Sequence, residues 1–340
     1  MSRRRLRAPL GVLSALLALA LVVPAAQAAT WQRGANFNAY TPDAYGTPAS
    51  DASLERLAAS GSDSVEIVTT WYQLTSVSNT IGVDPGQTPT DAAVVHAIRK
   101  ARSLGLKVTL KPHVNVIDGT WRGAIKPLDR AAWYASYQAM IDHYAAMAAS
   151  EGASMFVVGT ELKTMSPDTT RWQAIVKSVR ARFAGKLTYA ANYDEFEQVK
   201  FWSSVDYVGV DAYFALTNNV GDSAATLASR WTSWAWKSKL VNVAFSSGKP
   251  VIFTEIGYRS TPDTALHPGL WGWTGDIDLA AQQRAVEAFY QAFQGEGWFA
   301  GVYWWNWPAE IPKSGGWDND YPLINKPAED TLKSWNAKLR

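Results

Sequence analysis

The sequence predicts an α/β fold, a (β/α)8 barrel that forms a single domain over residues 29–340. Two observations favour this fold. Eight short apolar runs typical of strands follow one another from residue 33 onward, and stretches with the apolar spacing of helices separate several of them. No internal repeat and no linker rich in Pro or Ser interrupts the series, which indicates one domain. An open, doubly wound sheet is the alternative, but no G-x-G-x-x-G sequence follows any of the runs.

The elements follow in a regular order along the chain. The strand-like runs are RGANFN (33–38), DSVEIVTT (63–70), LKVTLKPH (106–113), SMFVVGT (154–160), KLTYAAN (186–192), VDYVGVDAY (205–213), KPVIFTE (249–255) and GVYWWNW (301–307). Helical patterns cover residues 91–105, 129–150, 168–183 and 279–294, and the first ends at Gly105, a residue type common at helix C-termini. Between the fifth and sixth runs, DEFEQVKFW leaves room for only a short helix.

The N-terminus has the three parts of a secretory signal peptide. MSRRRLRAP is basic, LGVLSALLALALVV is apolar and uncharged, and small residues follow in an Ala26-Gln27-Ala28 pattern. We therefore expect residues 1–28 to be a signal peptide, cleaved near Ala28 or Ala29, and the protein to be secreted. A membrane anchor is the alternative, but the apolar run is short for a membrane span. After cleavage of the signal peptide, we expect no association of the protein with a membrane.

The composition excludes several classes of function. A formal net charge of +2 gives no reason to expect binding to nucleic acid or to an acidic membrane surface. The chain has no cysteine, which excludes thiol nucleophiles and thiolate metal sites. Its four histidines are far apart in sequence, so we predict neither a metal centre nor a cofactor. We also expect a monomer.

Two glutamates end strand-like runs, Glu161 on the fourth and Glu255 on the seventh. A buried carboxylate is costly unless it is paired, and (β/α)8 barrels carry their chemistry at the carboxyl ends of the strands. Strands four and seven can face each other across the mouth of the barrel. Two carboxylates that flank a ligand can cleave a glycosidic bond: one donates a proton to the leaving oxygen, and the other attacks the anomeric carbon or activates water. The alternative is that each glutamate caps a helix or pairs with an arginine such as Arg122 or Arg259.

Other side chains at or near the strand ends are candidates for contacts with a sugar. The chain has 17 tryptophans, and a flat indole with a polar edge suits stacking on a partly apolar, hydroxylated ligand. The predicted substrate-binding residues are Trp71, His113, Trp121, Asn192, Asp211, Tyr213 and Trp305.

Several motifs together resemble those of glycoside hydrolase family 113, the β-1,4-mannanases of clan A. The matching stretches are LKPHVNV (110–116), WRG (121–123), VVGTEL (157–162), YAANY (189–193), VDYVGVDAYF (205–214), FTEIGYRS (253–260), GVYWWNW (301–307) and NKPAEDTL (325–332). They occur in the order of the family and cover nearly the whole chain after the signal peptide. VGTEL and TEIGYRS together are the most specific.

The resemblance implies a β-mannanase that acts on a β-linked polysaccharide or oligosaccharide with retention of configuration. It implies that Glu161 is the acid/base and Glu255 the nucleophile. It also implies that the Tyr213 hydroxyl orients the Glu255 carboxylate and that Trp305 forms the floor under the sugar being cleaved. One alternative is another glycanase of clan A, acting on glucan, xylan or galactan. A non-catalytic carbohydrate-binding barrel is the other, although such a barrel would be expected to lack one of the two carboxylates.

Three further features of the sequence concern the substrate and possible ligands. Thr160 stands where many enzymes of clan A have an asparagine that contacts the sugar 2-hydroxyl, which argues against glucan more than against mannan. Strand register decides whether Trp304 or Trp307 shares the sugar floor. A calcium ion near Asp318 and Asp320 is neither predicted nor excluded.

Overall fold

Eight parallel strands close into a barrel in the order of the sequence, each bonded to the next and the last to the first. The computed structural model describes residues 31–272 and 275–339, so the predicted signal peptide lies outside the described residues. All eight predicted strands are confirmed. They are β1 Gln32–Asn38, β2 Ser64–Gln73, β3 Lys107–Val116, β4 Met155–Thr160, β5 Lys186–Asn192, β6 Tyr207–Asp211, β7 Val251–Ile256 and β8 Phe299–Pro308.

Eight α-helices surround the strands in the described residues, which gives the predicted TIM barrel. They are α1 Pro48–Ala59, α2 Asp91–Ser103, α3 Arg130–Ser150, α4 Thr169–Arg180, α5 Ala224–Ser233, α6 Trp236–Ser247, α7 Leu279–Phe293 and α8 Pro327–Lys338. The four predicted helices correspond to α2, α3, α4 and α7. The short segment between β5 and β6 forms a 3₁₀ turn, Trp202–Ser204, while α5 and α6 both lie between β6 and β7.

Local sequence signals begin and end these helices. Six of them start at a Ser, Thr or Asp whose side chain accepts a hydrogen bond from a free N–H of the first turn. Gly105 follows α2 with a φ of +81°, a conformation that glycine adopts without steric cost. The capping residues are Thr47, Thr90, Asp129, Asp168, Ser223 and Asp278. Among the described helices, none is long and apolar enough to cross a membrane.

The register of the strands sets the height of the side chains at the carboxyl end of the barrel. Asn192 on β5 pairs with Asp211 on β6, and Asp211 pairs with Glu255 on β7. The ladder between β4 and β5 shifts after Val157, and the ladder between β7 and β8 shifts after Phe253. Such irregularities bend a strand and re-aim its side chains. Each shift lies beside one of the two predicted catalytic glutamates.

Candidate active site

An open cleft of about 420 Å³ lies at the carboxyl ends of the strands. It contains both predicted catalytic glutamates together with aromatic, amide and charged side chains, a combination suited to a hydroxylated ligand. The residues that line it are Trp121, Arg122, Glu161, Asn192, Tyr193, Asp194, Tyr213, Glu255, Gly269, Trp271 and Trp305.

Glu161 follows the last residue of β4 and has a left-handed backbone, with a φ of +52°. This conformation is uncommon for a residue other than glycine, and it occurs often at functional sites. The Asn192 amide donates to Oε1 at 2.7 Å, and the Trp121 indole N–H donates to Oε2 at 3.2 Å. Arg122 Nη1 lies 3.6 Å from Oε2. The carboxyl group is therefore held in one orientation at the edge of the cleft.

Burial raises the pKa of Glu161 above its usual value. The Arg122 guanidinium and the Trp121 N–H oppose this rise, whereas the charge of Glu255 adds to it. Arg122 is itself fixed, because it donates to the carbonyl of Val114 at 3.1 Å and to the Asn115 side chain at 2.7 Å. A carboxyl group that keeps its proton to a higher pH is suited to act as a general acid.

Glu255 lies in a different environment from Glu161. Its Oε1 accepts a hydrogen bond from Lys111 Nζ at 2.8 Å, and its Oε2 accepts one from the Tyr213 hydroxyl at 2.8 Å. The resemblance to known enzymes implied this contact with Tyr213. An ammonium and a hydroxyl that donate to the two oxygens of one carboxylate hold it in a fixed orientation, as a nucleophile requires.

A buried glutamate behind Asn192 connects the ends of β4 and β5. Glu195 accepts from the Asn192 backbone N–H at 3.1 Å and from the Tyr189 hydroxyl at 2.7 Å, and Tyr189 accepts from the backbone N–H of Leu162 at 2.9 Å. Burial raises the pKa of Glu195 to about 7. These bonds fix Asn192 relative to Glu161. The sequence analysis missed Glu195, although it lies only two residues after the end of the YAANY motif.

His113 and Trp305 lie together beside Glu255. Their rings stack with centroids 6.2 Å apart and an interplanar angle of 11°. His113 Nε2 is 3.7 Å from Glu255 Oε1 and has no hydrogen-bond partner among the described residues. Burial, followed by the charges of Arg122 and Lys111, lowers the pKa of His113 well below its usual value. The imidazole is therefore neutral at physiological pH.

The structure answers the question of which tryptophan on β8 faces the cleft. Trp305 lines the cleft. Trp304 donates to the Tyr290 hydroxyl on α7 at 3.1 Å, and Trp307 donates to the Ser53 carbonyl on α1 at 3.0 Å, so both pack against helices. The ladder with β1 contains an extra residue on β8 in this segment, which places Trp305 and Trp307 on opposite faces although they are two residues apart.

Three of the predicted sugar-contacting residues do not line the cleft: His113, which stacks on Trp305, and also Trp71 and Asp211. Trp71 donates to the Tyr144 hydroxyl on α3 at 2.9 Å, because its side chain leaves β2 on the outer face of the barrel. Asp211 is completely buried and accepts a hydrogen bond from the Thr254 hydroxyl at 2.7 Å. Asp211 lies within the barrel rather than at the surface of the cleft. Neither Trp71 nor Asp211 is therefore in place to touch a ligand there.

Trp271 lines the cleft and was missed by the sequence analysis. Its side chain is 60% exposed, and it packs edge-on against Trp305 at 6.0 Å and at a tilt against Tyr321 at 5.1 Å. It lies on the long loop between β7 and α7, where an argument from strand ends does not reach. Tyr193 and Asp194, which follow β5, were not predicted as ligand contacts either.

The structure places the ammonium group of Lys326 beside Asp318 and Asp320, where the sequence neither predicted nor excluded a calcium ion. Lys326 Nζ lies 2.6 Å from Asp318 Oδ1, and it donates to the Ser260 hydroxyl at 2.8 Å and to the Asp320 carbonyl at 2.7 Å. The oxygen atoms of this loop thus surround a lysine. In the described ranges, 31–272 and 275–339, no group of three or more His, Asp or Glu side chains is arranged to hold a metal ion.

Comparison with known proteins identifies the family. The model of Glycoside Hydrolase Family 113 matches residues 36–326, which is most of the chain. The chain belongs to glycoside hydrolase family 113. The resemblance inferred from the sequence motifs is thereby confirmed, and so is the prediction of an enzyme rather than a non-catalytic barrel.

Solved structures of family 113 enzymes are similar over almost their full length. The family 113 β-mannanase AaManA from Alicyclobacillus acidocaldarius, in complex with ManMIm, is 30% identical with a TM-score of 0.83, over 91% of this chain and 98% of that one. A family 113 β-1,4-mannanase, solved as a complex, is 26% identical with a TM-score of 0.81, over 90% and 99% of the two chains. No match was found among curated proteins.

More distant structures share the fold alone with this family 113 enzyme. Two fungal β-1,4-galactanases are represented by a structure that is 14% identical with a TM-score of 0.57, covering 91% of this chain and 100% of that one. At that identity the likeness extends to the barrel and not to the substrate.

Proposed function

We propose that this family 113 enzyme hydrolyses β-1,4-mannosidic linkages with retention of anomeric configuration. The observation that carries the proposal is the contrast between the two glutamates of one cleft. Glu161 has a raised pKa and amide and indole donors, whereas Glu255 accepts from Lys111 and Tyr213. Environments that separate two carboxyl groups in this way assign one as the acid and the other as the nucleophile. The similarity to β-mannanases supports mannan as the substrate.

The reaction would proceed in two displacements at the anomeric carbon. In the first, a Glu255 oxygen bonds to this carbon while the glycosidic C–O bond breaks and the proton of Glu161 passes to the leaving oxygen. In the second, Glu161 removes a proton from water, the water oxygen bonds to the anomeric carbon, and the ester bond to Glu255 breaks. Asn192 and Trp121 hold Glu161 in position for both proton transfers.

A parallel assay tests the proposed substrate. We expect release of reducing ends from mannan and glucomannan at rates far above those on xylan, cellulose and galactan. Oligosaccharide products of mixed length early in the reaction would indicate endo action, and release of a single short product would indicate exo action. A faster rate on galactan, glucan or xylan would instead favour another glycanase of clan A.

Secretion is part of the proposal because the N-terminal sequence has the pattern of a signal peptide. The test is to express the full chain in a bacterial host that exports such proteins and to sequence the N-terminus of the protein in the medium. We expect it to begin near Ala29. Retention of residues 1–28 on protein in the membrane fraction would favour an anchor.

Trp305 is proposed as the floor under the sugar being cleaved. Replacing it by alanine removes a large aromatic surface from the cleft, so Trp305→Ala is expected to weaken transition-state binding by about 1–3 kcal/mol, or roughly 5- to 150-fold in kcat/KM. Trp317→Ala is the control, because Trp317 is exposed and is not among the residues that line the cleft. A kcat/KM within twofold of wild type would exclude Trp305 from this role, and Trp271 would be tested next.

A further inference from the structure

A lysine side chain lies completely buried inside the barrel, next to the carboxylate of Glu255. Lys111 Nζ donates to Glu255 Oε1 at 2.8 Å, to the Thr254 carbonyl at 3.0 Å and to Asn36 Oδ1 at 3.2 Å. These three contacts match the three N–H donors of an ammonium group. Lysine is almost never fully buried unless it is paired with an opposite charge. Here the closest carboxylate is that of Glu255.

Two further carboxyl groups surround the same ammonium. Glu66 Oε2 lies 3.3 Å from Lys111 Nζ and Asp211 Oδ1 lies 3.6 Å away, and both side chains are completely buried. One cation therefore faces three carboxyl groups, counting Glu255. Because an uncompensated charge in the interior costs several kcal/mol, the three carboxyl groups are not all ionised together.

The carboxyl groups differ in how readily they ionise. Burial raises the pKa of Glu66 to about 8, and burial followed by the charge of Glu255 raises the pKa of Asp211 well above its usual value. Burial alone would lower the pKa of Lys111, but Asp211, Glu255 and Glu66 outweigh it and the net shift is upward. The neighbouring His113 is neutral. Of the three carboxyl groups, that of Glu255 is closest to Lys111 Nζ, at 2.8 Å compared with 3.3 Å for Glu66 and 3.6 Å for Asp211, so we take Lys111 and Glu255 as the ion pair of this cluster.

We propose that Lys111 is a positioning residue, whose ammonium fixes the orientation of the Glu255 carboxylate and serves as its counter-ion during turnover. This inference rests on the proposed function, because it assumes that Glu255 attacks the sugar. Glu255 loses its charge when the ester forms. It regains the charge when the ester bond breaks and the electron pair returns to the carboxylate. An ammonium already aimed at Oε1 stabilises that departing carboxylate without reorganisation.

A purely structural role for Lys111 makes a different prediction. A core ion pair that serves only stability would, when removed, lower the fraction of folded protein and leave the kinetics of each folded molecule unchanged. A positioning role instead lowers kcat of the folded enzyme. The two roles are therefore distinguished by kinetics that are corrected for the folded fraction.

The first experiment replaces Lys111 by methionine, which has a similar length and no charge. We expect kcat on mannan oligosaccharides to fall about 100-fold or more with KM within about threefold, since a misplaced reacting group costs rates of this order. The folded fraction is measured by near-ultraviolet circular dichroism. Lys100→Met is the matched control, because Lys100 on α2 pairs with Glu55 on the outer surface. If the single variant does not fold, Lys111→Met with Glu66→Gln removes one buried carboxyl group together with the ammonium.

Two kinetic outcomes would overturn the inference. The first is a folded variant of Lys111 whose kcat stays within about threefold of the wild-type value. Loss of a positioning contact is expected to lower the rate by much more than this. The second is a loss that appears in KM alone, which would assign Lys111 to the shape of the cleft. An equal loss in Lys100→Met would also contradict it, because the effect would then not depend on the contact with Glu255.

The second experiment uses the wild-type enzyme and does not depend on the folding of a variant. The lysines are labelled with ¹⁵N, and the enzyme is treated with 2-deoxy-2-fluoro-β-mannosyl fluoride, which forms a slowly hydrolysed ester with a retaining nucleophile. Buried, hydrogen-bonded ammonium groups exchange slowly and give separate signals. The side chains of Lys111 and Lys326 are both completely buried, and Lys326→Met distinguishes their signals.

The two possible failures are separated by mass spectrometry of the labelled peptides. Attachment of the fluorosugar to Glu255 with a shift of the Lys111 Nζ signal supports the inference. Attachment to Glu255 with the Lys111 signal unmoved overturns it while the proposed function stands. If Glu255 is not labelled and another carboxylate is, the proposed function fails, and the inference fails with it.

Discussion

Replacing Glu255 by alanine is expected to lower kcat/KM on mannan by about 10⁴- to 10⁶-fold, a loss typical of removing a nucleophile. No glycosyl ester can then form, and Lys111 and Tyr213 lose the carboxylate that accepts their hydrogen bonds. The smaller side chain also leaves space beside the anomeric carbon. Added azide should enter this space, attack the anomeric carbon of an activated aryl β-mannoside from the vacated side, and give the α-mannosyl azide.

The configuration of the azide product decides the role of Glu255. An inverted product, identified by NMR, supports its assignment as the nucleophile, whereas a β-mannosyl azide would assign it as the acid/base. Glu197→Ala is the control, since it removes a carboxylate that pairs with Lys239 on the surface, away from the cleft. This control is expected to keep the activity of the wild type. Wild-type enzyme that first releases the inverted sugar would contradict the retaining mechanism altogether.

The barrel and the position of two glutamates at its rim could be predicted from the sequence because both depend on short-range patterns. The apolar runs of the strands, the helical spacing between them and a capping residue such as Gly105 are all local signals. Glu161 and Glu255 were found because each ends an apolar strand, and parallel strands of a barrel bring their carboxyl ends to one rim. The motif resemblance then implied the roles that we propose for them.

The remaining features depend on register and on distant contacts, which the sequence does not encode locally. Trp71 was expected at the rim, but the alternation of β2 turns it outward, and a shift of one residue reverses the direction of every side chain on a strand. The extra residue on β8 likewise changes the direction of the side chains, so that Trp305 and Trp307 lie on opposite faces of the strand. Lys111 on β3 reaches Glu255 on β7 only after the barrel has closed.

Trp271 and Arg122 show a second limit of sequence analysis. Both lie on loops beyond the strands, and the length of a loop does not determine where its side chains return to the rim. The WRG motif contained Arg122, but its effect on the pKa of Glu161 follows from a distance of 3.6 Å that only a three-dimensional structure provides. Glu161 and Glu255 at strand ends could therefore be found from local patterns, whereas the place of Trp271 at the rim follows only from the three-dimensional structure.

Replacing Glu161 by alanine is expected to separate two classes of substrate. Mannan has a poor leaving group that needs a proton, so its cleavage should fall about 10²- to 10⁴-fold, the usual contribution of general acid catalysis. Aryl mannosides with good leaving groups need no proton, so Glu255 should still form the ester with them. Hydrolysis of that ester should be slow, because no base activates water, and a burst of released phenol should precede the steady state.

The pH dependence and the azide product test the same assignment. Because burial raises the pKa of Glu161, the wild-type enzyme keeps the proton of this acid to a higher pH, and kcat on mannan should fall as the pH rises through that pKa. In Glu161→Ala the residual cleavage of mannan should lose this alkaline limb. Azide should attack the ester and give the β-mannosyl azide, with retained configuration. An α-mannosyl azide from this variant, or an unchanged alkaline limb, would mean that Glu161 is not the acid/base.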